Sequence, residues 1–242
     1  MNILVLDKND WLSEQVALLH DHRATHLRCV LKSNVGDTVR VGVLGSHRGT
    51  GTIEAIDEHG VRLRVDATEP PPPRHRFDIV MALPRPKMLR RILRTAAEFG
   101  VANLHLINSA RVEKSYWQSP LLHPQQIREA LITGLERSMD TVPPQVHLHK
   151  RFRPFVEDEL AGICAGRPCW ITDMQATSSL AAKPQVPAVV LIGPEGGFVP
   201  FEVNLAESMI AERVHLGRRI LSVDTALPTV LAQALPGDQP AT

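Results

Sequence analysis

From Phe77 onward, short apolar runs alternate with segments of helical spacing, and this alternation constrains the fold more than any other feature. The predicted strands are 77–84, 101–108, 144–150, 169–174, 188–193 and 214–217. The predicted helices are 87–100, 124–137, 154–166, a segment after residue 199, and 225–235. Strands separated by helices favour a mostly parallel sheet covered on both faces. We therefore predict an α/β domain over residues 74–242.

The first 67 residues have a different pattern, with short strands separated by turns. Val61, Leu63 and Val65 alternate with Arg62 and Arg64, as in a half-buried strand, and only residues 23–32 have helical spacing. This predicts a small β-barrel with one helix over residues 1–70. Four consecutive prolines in 68–76 predict an extended linker at the domain boundary.

Composition excludes several classes of protein. The chain has 242 residues, 27 basic and 26 acidic side chains, and three cysteines. The cysteines form no C-x-x-C pair, which argues against a disulfide framework or a zinc knuckle and favours a reducing cytoplasm. His147 and His149 share a strand face without a cysteine or carboxylate at ligand spacing, so we interpret them as structural and expect no metal. No apolar run is long enough to predict membrane insertion.

Three glycines and one acid lie within the loop Gly193 to Phe198, directly after a predicted strand. Ligands of open α/β sheets bind at the carboxyl ends of strands. GPEGGF matches neither phosphate-binding glycine motif, and Glu195 would repel an anion. S-adenosylmethionine fits better, because its sulfonium is cationic and tolerates a nearby acid. The alternative is a glycine-rich connection that makes only a tight turn.

Two C-terminal motifs carry a specific resemblance. LIGPEGGFVPFE and, about twenty residues later, LGRRIL followed by DTA resemble the motifs of the RsmE family of SPOUT-class RNA methyltransferases. HLRCVLKSNVGDTVRV is similar to that family's PUA-like N-terminal barrel. The resemblance implies an α/β SPOUT-type domain with a parallel sheet and a trefoil knot, preceded by a small PUA-like β-barrel. It also implies a homodimer, S-adenosylmethionine as cofactor, and methylation of uracil N3 in small-subunit (16S) ribosomal RNA.

Matching the motifs assigns residues to the cofactor. From the first motif these are Leu191, Gly193, Pro194, Gly196 and Gly197. From the second they are Leu216, Gly217, Ile220 and Leu221. Thr172 and Asp173 follow another predicted strand and are expected to form a third wall. The leucines and the isoleucine could equally be ordinary core residues.

Methylation of a ring nitrogen requires removal of its proton and stabilisation of the developing charge. Glu195 and Asp224 are the carboxylates within the motifs, and Arg219 could stabilise a uracil oxygen. Glu195 could instead hold the loop together, and Arg219 could be solvated or clamp the loop. The family's RTETA stands here as Ser-Val-Asp-Thr-Ala at 222–226. A knotted RNA-binding protein that has lost catalysis, or a methyltransferase acting on a different RNA, is therefore the alternative.

RNA binding has its own signal in residues 87–100. Lys87, Arg90, Arg91 and Arg94 follow helical spacing and form one basic stripe opposite an apolar face. Like charges along one stripe favour an anionic partner, although a solvated surface is the common alternative. Further candidates are His26, Arg28, Lys32 and Arg111. We expect ribosomal RNA or the small ribosomal subunit as the partner, with no membrane involved.

Overall fold

The computed structural model describes residues 1–235, and these form two compact units. The N-terminal unit contains Met1–Pro72 together with Ile132–Pro143. The C-terminal unit contains Pro73–Leu131 and the described chain from Pro144 onward. Residues 132–143, which include the end of a long helix, therefore group with the N-terminal unit although they lie far from it in sequence. No helix within residues 1–235 is both long and apolar enough to span a bilayer.

The N-terminal unit is built on one six-stranded mixed sheet with the order β1-β4-β5-β6-β3-β2. β1 and β4 are parallel, and the other neighbours are antiparallel. Its elements are β1 (Leu4–Leu6), β2 (Trp11–Ser13), β3 (Val16–Leu19), α1 (His22–Thr25), β4 (Thr38–Val43), β5 (Arg48–Asp57) and β6 (Gly60–Glu69). A π-helical segment, His26–Val30, continues α1. The predicted small β-unit with one helix is confirmed, and β2 and β3 are additional strands.

Burial in this unit follows the alternation of the sequence. Val61, Leu63 and Val65 are buried in the core, while Arg62 and Arg64 point outward and pair with Glu54.

The buried charge of Arg23 is compensated by neighbouring carboxylates. Arg23, at the start of α1, makes two hydrogen bonds to Asp10 at 2.6 and 2.8 Å, and it also bonds Asp21. A buried guanidinium needs such partners because removing its charge from water costs on the order of several kcal/mol.

The C-terminal unit contains a six-stranded, all-parallel sheet with the order β12-β10-β11-β7-β8-β9. The strands are β7 (Phe77–Ala82), β8 (Asn103–Ile107), β9 (Gln145–His149), β10 (Cys169–Thr172), β11 (Ala188–Ile192) and β12 (Glu212–Val214). The helices are α2 (Pro86–Glu98), α3 (Pro124–Ser138), α4 (Phe152–Pro154), α5 (Leu160–Cys164), α6 (Pro200–Met209) and α7 (Val223–Leu231). A π-helical segment, Phe155–Glu159, joins α4 to α5. The predicted parallel sheet is confirmed.

The central strands β7 and β11 are buried along their whole length, as expected for strands covered on both faces. α2 presents Leu89, Ile92 and Leu93 to the core, so its predicted apolar face is confirmed. α7 begins at Val223, two residues earlier than predicted, and Pro228 therefore lies inside the helix rather than in its first turn. Strand order does not define how one loop passes through another, so the trefoil knot stays a prediction.

Candidate active site

A cavity of about 360 Å³ opens at the carboxyl ends of β10 and β11. Two loops contribute nearly half of the residues that line it: the glycine loop, residues 193–198 after β11, and the second loop, residues 215–222 between β12 and α7. Nine predicted cofactor residues line it: Thr172, Asp173, Gly193, Pro194, Gly196, Gly197, Leu216, Ile220 and Leu221. The two C-terminal motifs therefore meet at one cavity.

Two predicted cofactor residues do not line the cavity. Leu191 is fully buried within β11, where it pairs in register with Ile171 and Val80. Its role in the structure is that of a core residue, the alternative that the sequence left open. Gly217 has a φ of +122°, a conformation that favours glycine, so it shapes the second loop through its backbone.

The glycine loop makes a tight turn at the end of β11. The Gly197 N–H donates to the Pro194 carbonyl at 2.7 Å, and Gly197 has a φ of +73°. A Cβ atom added to Gly193 would come within 3.0 Å of the Phe198 backbone nitrogen. Phe198 is a buried residue that lines the cavity, and its backbone N–H has no hydrogen-bond partner within residues 1–235. Because unpaired buried N–H groups are rare, it is a candidate ligand donor.

Glu202 anchors the glycine loop from α6. Its carboxylate is buried and accepts hydrogen bonds from the Val199 N–H at 3.0 Å, the Ala110 N–H at 2.7 Å and the Ser109 hydroxyl at 3.1 Å. Three donors from two chain segments therefore converge on one buried acid. Glu202 belongs to the first motif, but only the tertiary structure shows that it joins the loop after β8 to the start of α6.

Arg111, a predicted RNA contact, lies beside the glycine loop. Its Nη1 donates to the Gly196 carbonyl and, at 3.3 Å, to the Gly197 carbonyl. The side chain is exposed and also lines the cavity. A Cβ atom added to Gly196 would lie 3.0 Å from the Arg111 Cδ, so this glycine leaves space for the arginine.

Asp173, at the end of β10, is held by an arginine that no sequence pattern indicates as a site residue. Arg213 on β12 lies 3.4 Å from the Asp173 carboxylate, 2.5 Å from Glu207 and 2.7 Å from the Asn204 side chain. Arg213 also lines the cavity. Asn204 and Glu207 have helical spacing on α6, but Asp173 and Arg213 join them only where β10, β12 and α6 are neighbours.

The three predicted catalytic residues have different surroundings. Glu195 lines the cavity and pairs with Arg85 at 3.3 Å. Arg219 lines the cavity, is exposed, and has no ion-pair partner in the part of the chain that the structure describes. Asp224 lies at the start of α7, outside the residues that line the cavity, and pairs with Arg91 at 2.8 Å. A hydrogen bond from the Ser222 hydroxyl, together with Arg91, holds the pKa of Asp224 below its usual range.

The basic stripe of α2 is accessible. Lys87, Arg90 and Arg91 are exposed and Arg94 is half-buried. Arg90 also bonds the Gln126 side chain at 3.2 Å. The N-terminal candidates lie in the other unit, where the three side chains His26, Arg28 and Lys32 are exposed or half-buried.

A second cluster of titratable groups lies on β8 and β9, away from the residues that line the cavity. His105 Nδ1 is 3.1 Å from His149 Nε2, and the His105 ring stacks on that of His147. Burial lowers the pKa of His105 to about 4. Glu159 lies 3.2 Å from His149, so a carboxylate does approach this cluster, contrary to the sequence interpretation. No group of three or more metal-ligating side chains is present in residues 1–235.

Comparison with known proteins identifies the class that this fold and cavity define. The family model for the RNA methyltransferase domain matches residues 70–235, which is more than half of the chain. The protein belongs to this family of RNA methyltransferases. Within the class, it is 27% identical to ribosomal RNA small subunit methyltransferase E of Treponema pallidum, over 97% of this chain and 91% of the relative. The resemblance to the RsmE family is confirmed.

A second relative and two solved structures agree with this assignment. Ribosomal RNA small subunit methyltransferase E 1 of Borreliella burgdorferi is 22% identical, over 93% of this chain and 94% of the relative. The structure of a ribosomal RNA small subunit methyltransferase E from Neisseria gonorrhoeae, bound to S-adenosyl methionine, has a TM-score of 0.73 at 20% identity, covering 96% of this chain and 95% of that one. A Legionella pneumophila methyltransferase in complex with the same cofactor has a TM-score of 0.72 at 19% identity, with the same coverage. The α/β SPOUT-type fold with its PUA-like N-terminal unit is thereby confirmed.

Proposed function

We propose that this RNA methyltransferase uses S-adenosylmethionine to methylate N3 of a uracil in small-subunit ribosomal RNA. The observation that carries the proposal is the cavity that nine predicted cofactor residues line, seven of them from the two C-terminal motifs and two from the end of β10. Its volume of about 360 Å³ suits a small molecule, for which pockets of roughly 300–1,000 Å³ are usual. The names and bound cofactor of the similar proteins support the same substrate class and cofactor.

The cavity wall suits an adenosine without phosphate. The unpaired Phe198 N–H offers a donor, and any side chain at Gly193 would cover it. The carboxylates of Glu195 and Asp173 lie in the wall together with the guanidinium groups of Arg111, Arg213 and Arg219. A cationic sulfonium beside the two carboxylates would be stabilised, whereas a phosphate beside them would be repelled. The residues proposed to hold the cofactor are Thr172, Asp173, Gly193, Pro194, Gly196, Gly197, Leu216, Ile220 and Leu221. Leu191 would support the glycine loop as a core residue of β11, and Gly217 would set the backbone conformation of the second loop.

When bound, S-adenosylmethionine supplies an electrophilic methyl group. The protein must then bind an unpaired uracil, accept its N3 proton and stabilise the negative charge that develops on the ring oxygens. Arg219 is the proposed stabilising cation, because it lines the cavity without a carboxylate partner. Glu195 is favoured over Asp224 as proton acceptor, because Asp224 lies outside the cavity wall and its lowered pKa makes it a weaker base.

RNA would be bound mainly through phosphates. The basic stripe of α2, Lys87, Arg90, Arg91 and Arg94, is the principal proposed contact, with His26, Arg28 and Lys32 of the N-terminal unit as a second one. Arg111 could add a contact at the cavity itself. We also propose that the two domains have different roles. Residues 1–70 would bind RNA, and residues 74–242 would form a knotted, homodimeric catalytic domain.

Calorimetry and nucleoside analysis together test the proposal. The protein should bind S-adenosylmethionine at a single site per chain, and small-subunit RNA from cells lacking the gene should miss one methylated uridine that the purified protein restores. If the cofactor does not bind, a knotted RNA-binding protein without catalysis is favoured. If the cofactor binds and a different RNA or position is methylated, the chemistry stands and the assigned target is wrong.

A further inference from the structure

Arg111 has a bonding pattern that differs from that of a phosphate-contacting arginine. Its Nη1 is directed at two consecutive carbonyl oxygens of the glycine loop, those of Gly196 and Gly197. A guanidinium presents its donors in a fixed planar fork, so this contact constrains the loop more than an ammonium would. Hydrogen bonds from a charged donor are also stronger than neutral ones.

The chain that carries Arg111 is itself fixed. Ser109 and Ala110, the two preceding residues, are both bonded to the buried Glu202 carboxylate. The guanidinium is therefore attached to a short segment whose backbone is already held by α6. It acts on the glycine loop from a rigid base rather than from a mobile surface loop.

The orientation of the Gly197–Phe198 peptide connects this contact to the cavity. The Gly197–Phe198 peptide bond is trans, and in a trans peptide the C=O and N–H groups point in opposite directions. Because the Gly197 carbonyl points toward Arg111, the Phe198 N–H points away from it. This N–H lies close to Gly193, in the cavity wall, and is unpaired within residues 1–235.

We propose that Arg111 is a positioning residue that holds the glycine loop with its carbonyls outward and the Phe198 N–H directed at the cofactor. This inference rests on the proposed cofactor, and it changes the interpretation of Arg111 from an RNA contact to a residue of the cofactor site. It also explains Gly196, whose missing side chain leaves room for the Arg111 methylene groups.

Hydrogen exchange tests the positioning role without any cofactor. In Arg111→Ala, the Gly197 amide, which is bonded to Pro194, should exchange at least roughly tenfold faster, because a charged hydrogen bond that holds the loop is lost. Arg153→Ala is the control: Arg153 is an exposed arginine that pairs with Glu157 on its own helical segment. Unchanged exchange of the glycine-loop amides in Arg111→Ala would overturn the proposal, whether or not the protein binds S-adenosylmethionine.

Calorimetry with S-adenosylmethionine then tests the consequence. Arg111→Ala should weaken cofactor affinity roughly tenfold to a hundredfold, with Arg111→Lys in between and Arg153→Ala unchanged. An RNA contact would behave differently: the slope of log affinity against log salt for RNA would fall by about 0.7–0.9 while cofactor affinity stayed the same. That second result would overturn the proposal. Absence of cofactor binding by the unmodified protein would instead contradict the proposed function.

A double-mutant cycle isolates the contact between Gly196 and Arg111. Gly196→Ala places a methyl group 3.0 Å from the Arg111 Cδ and should weaken cofactor affinity several-fold. If its effect comes through Arg111, the same substitution made in the Arg111→Ala background should have little further effect. Full additivity would show that the added methyl acts directly on the cofactor space, and that Gly196 is not explained by Arg111.

Discussion

The two loops that form the cavity are held in different ways. The glycine loop is held by the exposed side chains of Arg111 and Arg85, and the buried Glu202 holds Val199, the residue that follows the loop, from inside the protein. The second loop is bonded at its start, where His215 pairs with the backbone of Ser178 and Leu180 and accepts from the Gly217 N–H at 3.1 Å. Within the described chain, no side chain from outside the loop bonds residues 216–221. Arg218, Arg219 and Ile220 are all exposed, and Ile220 keeps 82% of its surface accessible.

This difference suggests a division of roles. A loop with buried, satisfied hydrogen bonds keeps its geometry without a ligand, which reduces the ordering cost of binding. A loop with exposed charged and apolar side chains can adjust to a large partner. We therefore expect substitutions that loosen the glycine loop to change cofactor affinity, and substitution of the exposed Arg219 in the second loop to change reaction with RNA.

Removal of the Glu202 carboxylate should have the largest effect. Glu202→Ala leaves two backbone N–H groups and the Ser109 hydroxyl without their acceptor in a buried site. The free energy of unfolding should fall by about 3–5 kcal/mol, as urea denaturation would measure, and cofactor affinity should fall with it.

Glu207→Ala provides the matched control on the same helix. Glu207 is partly exposed and pairs with Arg213, so its removal should cost less than about 1 kcal/mol. Equal effects of the two substitutions would mean that the glycine loop is not held from inside, and the comparison of the two loops would fail.

Replacement of Arg219 tests the role that we expect for the second loop. Arg219→Ala should reduce turnover with RNA roughly a hundredfold, in line with the loss of one stabilising group in an active site, while the affinity for S-adenosylmethionine stays within about twofold. Steady-state kinetics and calorimetry separate these quantities.

The neighbouring Arg218 is an almost ideal control for that substitution. It has the same charge and is also exposed, but it does not line the cavity. Arg218→Ala should therefore leave turnover within a few-fold of the unmodified protein. If both variants lose turnover alike, the second loop contributes general positive charge and Arg219 has no special position.

Much of the architecture could be predicted because local patterns encode it. Buried parallel strands such as β7 and β11 are continuous apolar runs, and the amphipathic spacing of α2 separates its basic and apolar faces within the sequence. The three-residue strand β2 and the four-residue β3 were missed, because a short strand has too few residues to show a period. The grouping of 132–143 with the N-terminal unit depends on long-range contacts.

In the candidate active site, too, local features could be predicted from the sequence, whereas long-range contacts could not. The loops could be predicted from their motifs, because a positive φ, as at Gly197 and Gly217, favours glycine. The partners of those loops were not predicted. Arg85 and Arg213 meet their carboxylates across elements distant in sequence, and no local spacing indicates such a contact.

The basic stripe of α2 should affect RNA binding and leave cofactor binding unchanged. Replacing Lys87, Arg90, Arg91 and Arg94 with alanine should lower the slope of log affinity against log salt by roughly three units, at about 0.7–0.9 per phosphate contact. The measurement is RNA binding at several salt concentrations, with S-adenosylmethionine affinity measured in parallel.

The control for the stripe is another exposed basic group in the same unit. Replacing Lys150, Arg151 and Arg153, which are exposed and outside the stripe, should change the slope by less than about one unit. A similar loss per charge from both sets would indicate unspecific attraction of RNA by the whole surface.

The smallest effect is expected at the surface pair between Arg85 and Glu195. Their side chains are 63% and 39% exposed, and pairs of this kind contribute about 0–1 kcal/mol. Arg85→Ala should therefore change the free energy of unfolding by less than about 1 kcal/mol and cofactor affinity by only a few-fold. A loss of cofactor affinity as large as that of Arg111→Ala would mean that α2 holds the glycine loop from outside. RNA bound to α2 could then reach the cofactor through Arg85, and the roles of the two loops would not be separate.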